Sequence, residues 1–242
     1  MFVVLLSKIL INDRRLRYAA RFFYWLKWRK QAVNVFDLGD LEGCPFTRYE
    51  QREYLKILME QGWITQRKDG IYCLQGRPFF HRMLNLSKQT QYCQIPDSSL
   101  NDKRAWNQFI SACAVTSVGR TINLKAKRKD KLRHMACSNL AGITSAAIPL
   151  ALSLLSSFTG LSQSSAHRLR QSAAASGLVQ VERQRQVVTQ CVNDVWRSVR
   201  MSHNEFLQFV DGDQGAYKLS KGILYEDFPS LVTVMRTKKV KI

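Results

Sequence analysis

The chain has few carboxylates for its size, and this shortage gives the first indication of its partner. It contains 18 Asp and Glu residues against 37 Lys and Arg residues, a formal net charge of +19 over 242 residues. Between Lys103 and Val181 the only carboxylate is that of Asp130. An excess of this sign attracts nucleic acid or an anionic membrane surface, and it makes the affinity for a polyanion strongly dependent on salt.

The sequence also lacks the common motifs of catalysis and metal binding. It has no glycine-rich loop of the form G-x-x-x-x-G-K-[ST], which argues against an ATP-driven motor or helicase. Its six cysteines include no C-x-x-C pair and its four histidines lie far apart, so no metal site is expected. Asp211 and Asp213 lie in the segment DGDQG, which is typical of a turn. We therefore predict no enzymatic activity and no cofactor.

Long apolar runs are missing as well. No window approaches eighteen consecutive apolar residues, so no transmembrane helix is expected. The apolar run at residues 2–6 is too short for a signal peptide, and cations follow it. Because the cysteine usage fits a reducing compartment, the expected location is the cytoplasm.

Residues 150–181 carry the most informative pattern in the chain. Gly160 supplies a tight turn, Ser162 is a natural N-cap, and Gly177 stands where a helix needs a left-handed residue to end. The helix between these caps has apolar residues on one face. The opposite face carries hydrogen-bonding side chains that suit base edges in a major groove, or alternatively a solvated surface. These residues are Gln163, Ser164, His167, Arg168 and Gln171.

A strand pair is predicted after this helix. The two strands cover residues 178–181 and 187–189. The polar tip between them contains Arg183 and Arg185, which suit phosphate or minor-groove contact. Together with the sequences GLS at 160–162 and SGLV at 176–179, the segment resembles the winged helix-turn-helix domains of bacterial and phage DNA-binding proteins. The resemblance covers some fifty residues and implies a fold and a DNA-facing helix.

A weaker copy of the same pattern occupies residues 46–76. Thr47 and Glu50 form a capping box that starts a helix, Gly62 ends that helix, and the Asp69-Gly70 dipeptide predicts a hairpin. The hairpin would be a wing. The basic and amide side chains predicted to contact DNA lie on the exposed helix face and at the hairpin tip. They are Arg48, Gln51, Arg52 and Lys56 on the helix, and Arg67 and Lys68 at the tip.

Two further basic segments complete the pattern. A helix predicted over residues 5–30 combines cations with aromatic residues. We expect those aromatics to pack against the domain that follows or against a partner chain, and stacking on unpaired bases stays open as an alternative. A cluster upstream of residue 150 is predicted to clamp phosphates, although such a run is often a solvated segment. The cluster consists of Lys125, Lys127, Arg128, Lys129, Lys131 and Arg133.

The sequence therefore predicts an α+β, mainly helical protein with two winged helix-turn-helix domains that bind double-stranded DNA. The predicted boundaries are an N-terminal winged-helix domain at 1–88, a linker at 89–101, a second domain at 102–200 and a C-terminal extension with short strands and a basic end at 201–242. This plan resembles that of plasmid and phage replication initiators, which implies origin binding and replication proteins as partners. A transcriptional regulator with transcription proteins as partners, a structural DNA-packaging or assembly factor, and a homodimer stay open as alternatives.

Overall fold

Helices make up most of the backbone, and the strands form small antiparallel sheets, which agrees with the predicted α+β, mainly helical class. The computed structural model describes residues 2–30, 33–85, 89–132, 147–182, 185–192, 195–202, 204–205, 217–227, 231–233 and 238–241.

The N-terminal segment is not one helix. Strand β1 (Phe2–Val3) and a single 3-10 turn precede helices α1 (Ser7–Asn12) and α2 (Arg14–Lys30). The continuous helix predicted over 5–30 is wrong because Asp13 adopts an extended conformation, and its carboxylate accepts a hydrogen bond from the Leu16 amide at 2.9 Å. A short side-chain acceptor at this position caps a new helix rather than continuing the old one.

Helix α2 forms the centre of the N-terminal core. The run of aromatic residues from Phe22 to Trp25 is buried, and Phe23 lies edge-on to Trp63 with ring centroids 5.4 Å apart. The prediction that these aromatics pack internally is confirmed for this run. Trp28, one turn further, is 52% exposed.

The first unit, residues 14–74, continues with β2 (Val35–Phe36), a 3-10 turn (Gly39–Leu41), α3 (Arg48–Glu60), β3 (Ile64–Gln66) and β4 (Tyr72–Leu74). The predicted capping box is present: the Glu50 amide donates to Thr47 Oγ1 and the Thr47 amide donates to Glu50 Oε2. The predicted hairpin is present too, with Gly70 at φ +82°. Its sheet has the order β2-β4-β3, so the last strand is central.

The segment predicted to be a linker, 89–101, is ordered secondary structure. After α4 (Arg77–Met83), strand β5 (Gln89–Cys93) pairs with β1 on one side and with β14 (Lys238–Lys241) on the other, and α5 (Asp97–Asn101) follows. Tyr92, Cys93 and Leu100 are buried. These apolar residues join the otherwise polar stretch to the core.

From the sequence, Asp102 is predicted to cap a helix that continues through Trp106 and Phe109 at helical spacing to about Val118. The structure confirms the cap, since the Ala105 amide donates to Asp102 Oδ2 at 2.6 Å. The predicted end is wrong, because helix α6 (Lys103–Leu132) continues through Gly119. A glycine inside a helix costs about 1 kcal/mol relative to alanine, and the Lys, Arg, Ala and Leu residues that follow are good helix formers.

The second unit runs from α6 through β6 (Ala147–Pro149), α7 (Leu152–Thr159), α8 (Gln163–Ala175) and β7 (Gln180–Glu182), and is completed by β13 (Leu231–Thr233). Its sheet has the order β6-β13-β7, so again the last strand is central. Both units therefore share one order: a long helix, a strand, a helical turn or helix, a second helix and two strands.

The predicted hairpin between residues 178–181 and 187–189 is wrong. Strand β7 pairs with β13, whereas β8 (Arg185–Val187) pairs with β12 (Ile223–Asp227), which also pairs with β11 (Tyr217–Ser220). A separate hairpin joins β9 (Thr189–Val192) to β10 (Val195–Ser198). These strands are an insertion between the second and third strands of the second unit, and strand pairing over such a distance leaves no local sequence signal.

The buried apolar side chains of both units belong to one continuous cluster, in which Trp106 and Phe109 of α6 lie beside Phe2 of β1. Asn12 also donates to the backbone carbonyl of Thr159 at 2.9 Å, which joins α1 to α7. The predicted domain boundaries stay a prediction. Among the described residues, no helix has the length and apolar character needed to cross a membrane.

Candidate nucleic-acid interface

The solvent-facing side of α8 contains every residue predicted to contact bases there. Ala166 and Ala173 are buried on the opposite side, against the core. The helix starts where predicted, since the Ser165 amide donates to Ser162 Oγ at 3.3 Å, and Gly160 before it is left-handed at φ +74°. The exposed residues are Gln163, Ser164, His167, Arg168 and Gln171. We call them the α8 face.

A second exposed face lies on α3, whose buried side holds Tyr54 and Leu58. It carries three of the predicted cations together with Tyr49, which is 75% exposed and was absent from the predicted contacts. Its exposure could have been predicted from the sequence, because helical spacing places Tyr49 on a different side of α3 from the buried residues Tyr54 and Leu58. We define the α3 face as Arg48, Tyr49, Arg52 and Lys56.

Gln51 does not join the α3 face. Its side chain is half-buried, and its Nε2 donates to the Phe46 carbonyl at 2.9 Å and approaches Cys44 Sγ at 2.9 Å. The amide group therefore fixes the loop before α3. The side chain packs against this loop and does not belong to the outer face of the helix, so its predicted DNA contact has no support in this geometry.

Gln51→Ala is accordingly expected to lower the free energy of unfolding by about 1 kcal/mol, because the Phe46 carbonyl loses its amide donor and keeps only the weak contact from the Cys44 thiol. Duplex affinity should change much less than in Arg52→Ala, whose side chain is exposed one residue away. Urea unfolding and fluorescence anisotropy with duplex DNA measure the two quantities. A Gln51 variant of normal stability but weakened DNA binding would contradict this assignment.

The β3–β4 hairpin presents its basic tip to solvent. Arg67 and Lys68 are exposed as predicted, and Arg67 Nη2 lies 3.2 Å from Asp69 Oδ2. The Arg67 amide donates to the Ile71 carbonyl at 2.8 Å, which closes the turn. Since exposed ion pairs of this kind contribute little to the free energy of folding, Arg67 can leave Asp69 and bind a phosphate with little loss of stability.

The first turn of α6 lies between the two faces. Lys103 Nζ contacts Glu50 Oε1 of α3 at 2.5 Å, and Lys103 and Arg104 line a cleft together with Gln171 of the α8 face. Arg104 is exposed and adds a cation beside Gln171. It was absent from the predicted contacts, although the Asp102 cap already places it in this turn.

Glu50 serves both the α3 cap and this contact. Burial raises its pKa, but hydrogen bonds from Lys103 and Thr47 outweigh that effect and hold the pKa below its usual value. The carboxylate is therefore ionised at neutral pH and opposes the charge of Lys103. Arg104, by contrast, contributes its charge to the surface between the α3 and α8 faces.

The remaining predicted contacts are placed only in part. The backbone of the basic cluster is helical from Lys125 to Lys131 within α6, and Arg185 begins β8, away from any β7–β8 hairpin tip. Arg133 and Arg183 lie outside the described residues. Within the described ranges no group of three or more His, Cys, Asp or Glu side chains is arranged to hold a metal ion.

Comparison with known proteins adds no relative. No family model, curated protein or solved structure matches this chain. The inference of function therefore depends on the two exposed faces, their positions in the repeated element order, and their charge.

Proposed function

We propose that this protein binds double-stranded DNA in a sequence-specific manner through two winged-helix domains, with α3 and α8 as the recognition helices. The observation that carries the proposal is the repeated element order. In both units a helix followed by two strands completes a three-stranded sheet whose last strand is central. In a winged helix this helix is the one that enters the major groove.

The chemistry of the two helices supports the same function. The α8 face offers two amides, a hydroxyl, an imidazole and a guanidinium, which can donate to and accept from base edges. The α3 face is richer in cations and suits a larger share of phosphate contacts. Both helices would then contact bases, with α8 making more of the base contacts and α3 more of the phosphate contacts.

In the second unit the wing would be the whole insertion between β7 and β13 rather than a short hairpin. The strands β8 to β12 lie in this insertion. A wing of this size extends the protein surface available to DNA or to a protein partner beyond that of a two-strand wing. The α8 face retains its place as the recognition surface because β13 returns to complete the sheet.

Within this proposal, an origin-binding replication initiator is the leading role, in keeping with the resemblance of the tandem plan. An initiator recognises repeated sites and distorts adjacent duplex. A transcriptional regulator occupies a promoter site without melting it, and an assembly factor shows little sequence preference. One series of experiments can therefore distinguish the three roles.

The first experiment is selection of bound duplexes from a random library at about 150 mM salt, where phosphate contacts alone are weakened. We expect enrichment of a long or bipartite motif, because two recognition helices contribute. Permanganate footprinting on the enriched site then tests for melting. Binding that enriches no motif and vanishes as salt rises would overturn sequence-specific recognition.

A further inference from the structure

A cavity of about 750 Å³ lies between α2 of the first unit and the segment that joins the two units, and none of its lining residues belongs to the α3 or α8 face. It is bounded by the C-terminal part of α2, the turn between β4 and α4, and the segment from β5 to α5. Its volume falls within the range of small-molecule sites in proteins. Its lining residues include Phe23, Tyr24, Lys27, Trp28, Arg77 and Tyr92.

Aromatic rings form much of the wall, and one of them is accessible. Phe23, Tyr24 and Tyr92 are buried, whereas Trp28 is 52% exposed. An exposed indole beside a cavity can stack on a planar ligand. The aromatic residues one turn earlier on α2, from Phe22 to Trp25, are buried, so Trp28 differs from them in presenting its ring to solvent.

Two cations share the cavity. Lys27 Nζ donates to Asn34 Oδ1 at 2.8 Å and lies 5.5 Å from the ring centroid of Phe23, while the Arg77 guanidinium lies 5.5 Å from the ring centroid of Tyr92. Within the described ranges neither forms a salt bridge. Burial, with a smaller effect of Arg77, lowers the pKa of Lys27 to about 8. An anion bound between Lys27 and Arg77 would offset the cost of burying the Lys27 ammonium and would screen it from the charge of Arg77.

The remaining polar groups suit the edge of a base. The side-chain amides of Asn34, Gln75 and Gln94 line the same space, and each offers both a donor and an acceptor. Asp97, also in the lining, offers an acceptor for an amino or hydroxyl group. A planar heterocycle that carries a phosphate needs a ring to stack on, amides for its polar edge and cations for its phosphate. This cavity supplies all three kinds of group.

We propose that this cavity binds a nucleoside monophosphate group, with its base against Trp28 and its phosphate between Lys27 and Arg77. The group is supplied either as a free nucleotide or as the 5′-phosphorylated end of a single strand. This site is separate from the duplex-binding surfaces, since none of its lining residues belongs to the α3 or α8 face.

Titration calorimetry of the full chain with dAMP tests the proposal, with deoxyadenosine and inorganic phosphate as partial ligands. We expect saturable binding of dAMP at a concentration where neither part binds alone. Trp28→Ala and Lys27→Gln should each weaken dAMP binding at least about tenfold, the lower range for loss of a stacking or charge-assisted contact. Arg82→Gln removes an exposed cation from α4 outside the cavity and should leave dAMP binding unchanged.

A 5′-phosphorylated oligodeoxyadenylate then identifies the source. Tighter binding than dAMP that depends on Trp28 indicates a strand end, whereas weaker binding indicates the free nucleotide. Either result supports the site. Absence of dAMP binding at about 1 mM, the weak limit of specific association, overturns it. So does binding of inorganic phosphate as tightly as dAMP, or dAMP binding that survives both cavity substitutions.

Discussion

Trp106→Ala is expected to lower the free energy of unfolding by about 3–5 kcal/mol, the usual range for truncation of a large buried aromatic residue. Trp106 is fully buried in α6, and its Nε1 donates to the Arg17 carbonyl at 2.8 Å. Its ring packs on those of Phe2, Tyr24 and Phe109. The substitution would therefore leave a cavity and remove one hydrogen bond where β1, α2 and α6 meet.

Chemical denaturation followed by circular dichroism measures this loss, and Trp28→Ala is the matched control. Because Trp28 is half exposed, its truncation should change stability by well under half the Trp106 effect. Hydrogen exchange adds a second readout. If α3 and α8 lose protection together, the two units share one cooperative core; a loss below about 1 kcal/mol would contradict the assigned packing of Trp106.

The paired substitution Arg52→Ala and Arg168→Ala is expected to weaken binding to the selected duplex by about 2–6 kcal/mol. Each arginine lies on a different proposed recognition helix, and loss of one specific base contact costs about 1–3 kcal/mol. The costs should add because the side chains belong to separate units and share no partner. Competition titrations against the selected and a scrambled duplex measure the change.

The matched control is Arg29→Ala with Arg82→Ala, which removes two exposed cations, one from α2 and one from α4, and the same net charge. This pair should reduce affinity for both duplexes modestly and equally. Affinity for the scrambled duplex should also fall only slightly in the Arg52 and Arg168 variant. Equal losses on both duplexes in the recognition-helix variant would mean that neither arginine contacts a base edge.

Features governed by neighbouring residues could be predicted from the sequence. The capping box at Thr47 and Glu50, the left-handed Gly160, the Ser162 cap and the Asp69-Gly70 hairpin each depend on a few consecutive residues, and all are present. The exposed side of α8 also followed from helical periodicity, because the buried alanines fix which residues face solvent.

Features governed by distant residues could not be predicted. The partner of β7 is β13, some fifty residues away along the chain, and no turn signal marks such a pairing. The burial of β5 depends in the same way on β1 and β14. The placement of the Gln51 side chain could not be predicted for a different reason: its position on the helix allowed exposure, but the loop before α3 offers the Phe46 carbonyl within reach.

The two units differ in how soon a growing chain can complete them. Every strand of the β2-β4-β3 sheet is available once Leu74 has been synthesised, so this unit can assemble on the ribosome. The β6-β13-β7 sheet must wait for Leu231, which means that the α8 helix is made long before its supporting sheet can close. During that interval the apolar side of α8 depends on α6 for cover, and the nascent protein carries one finished unit and one unfinished one.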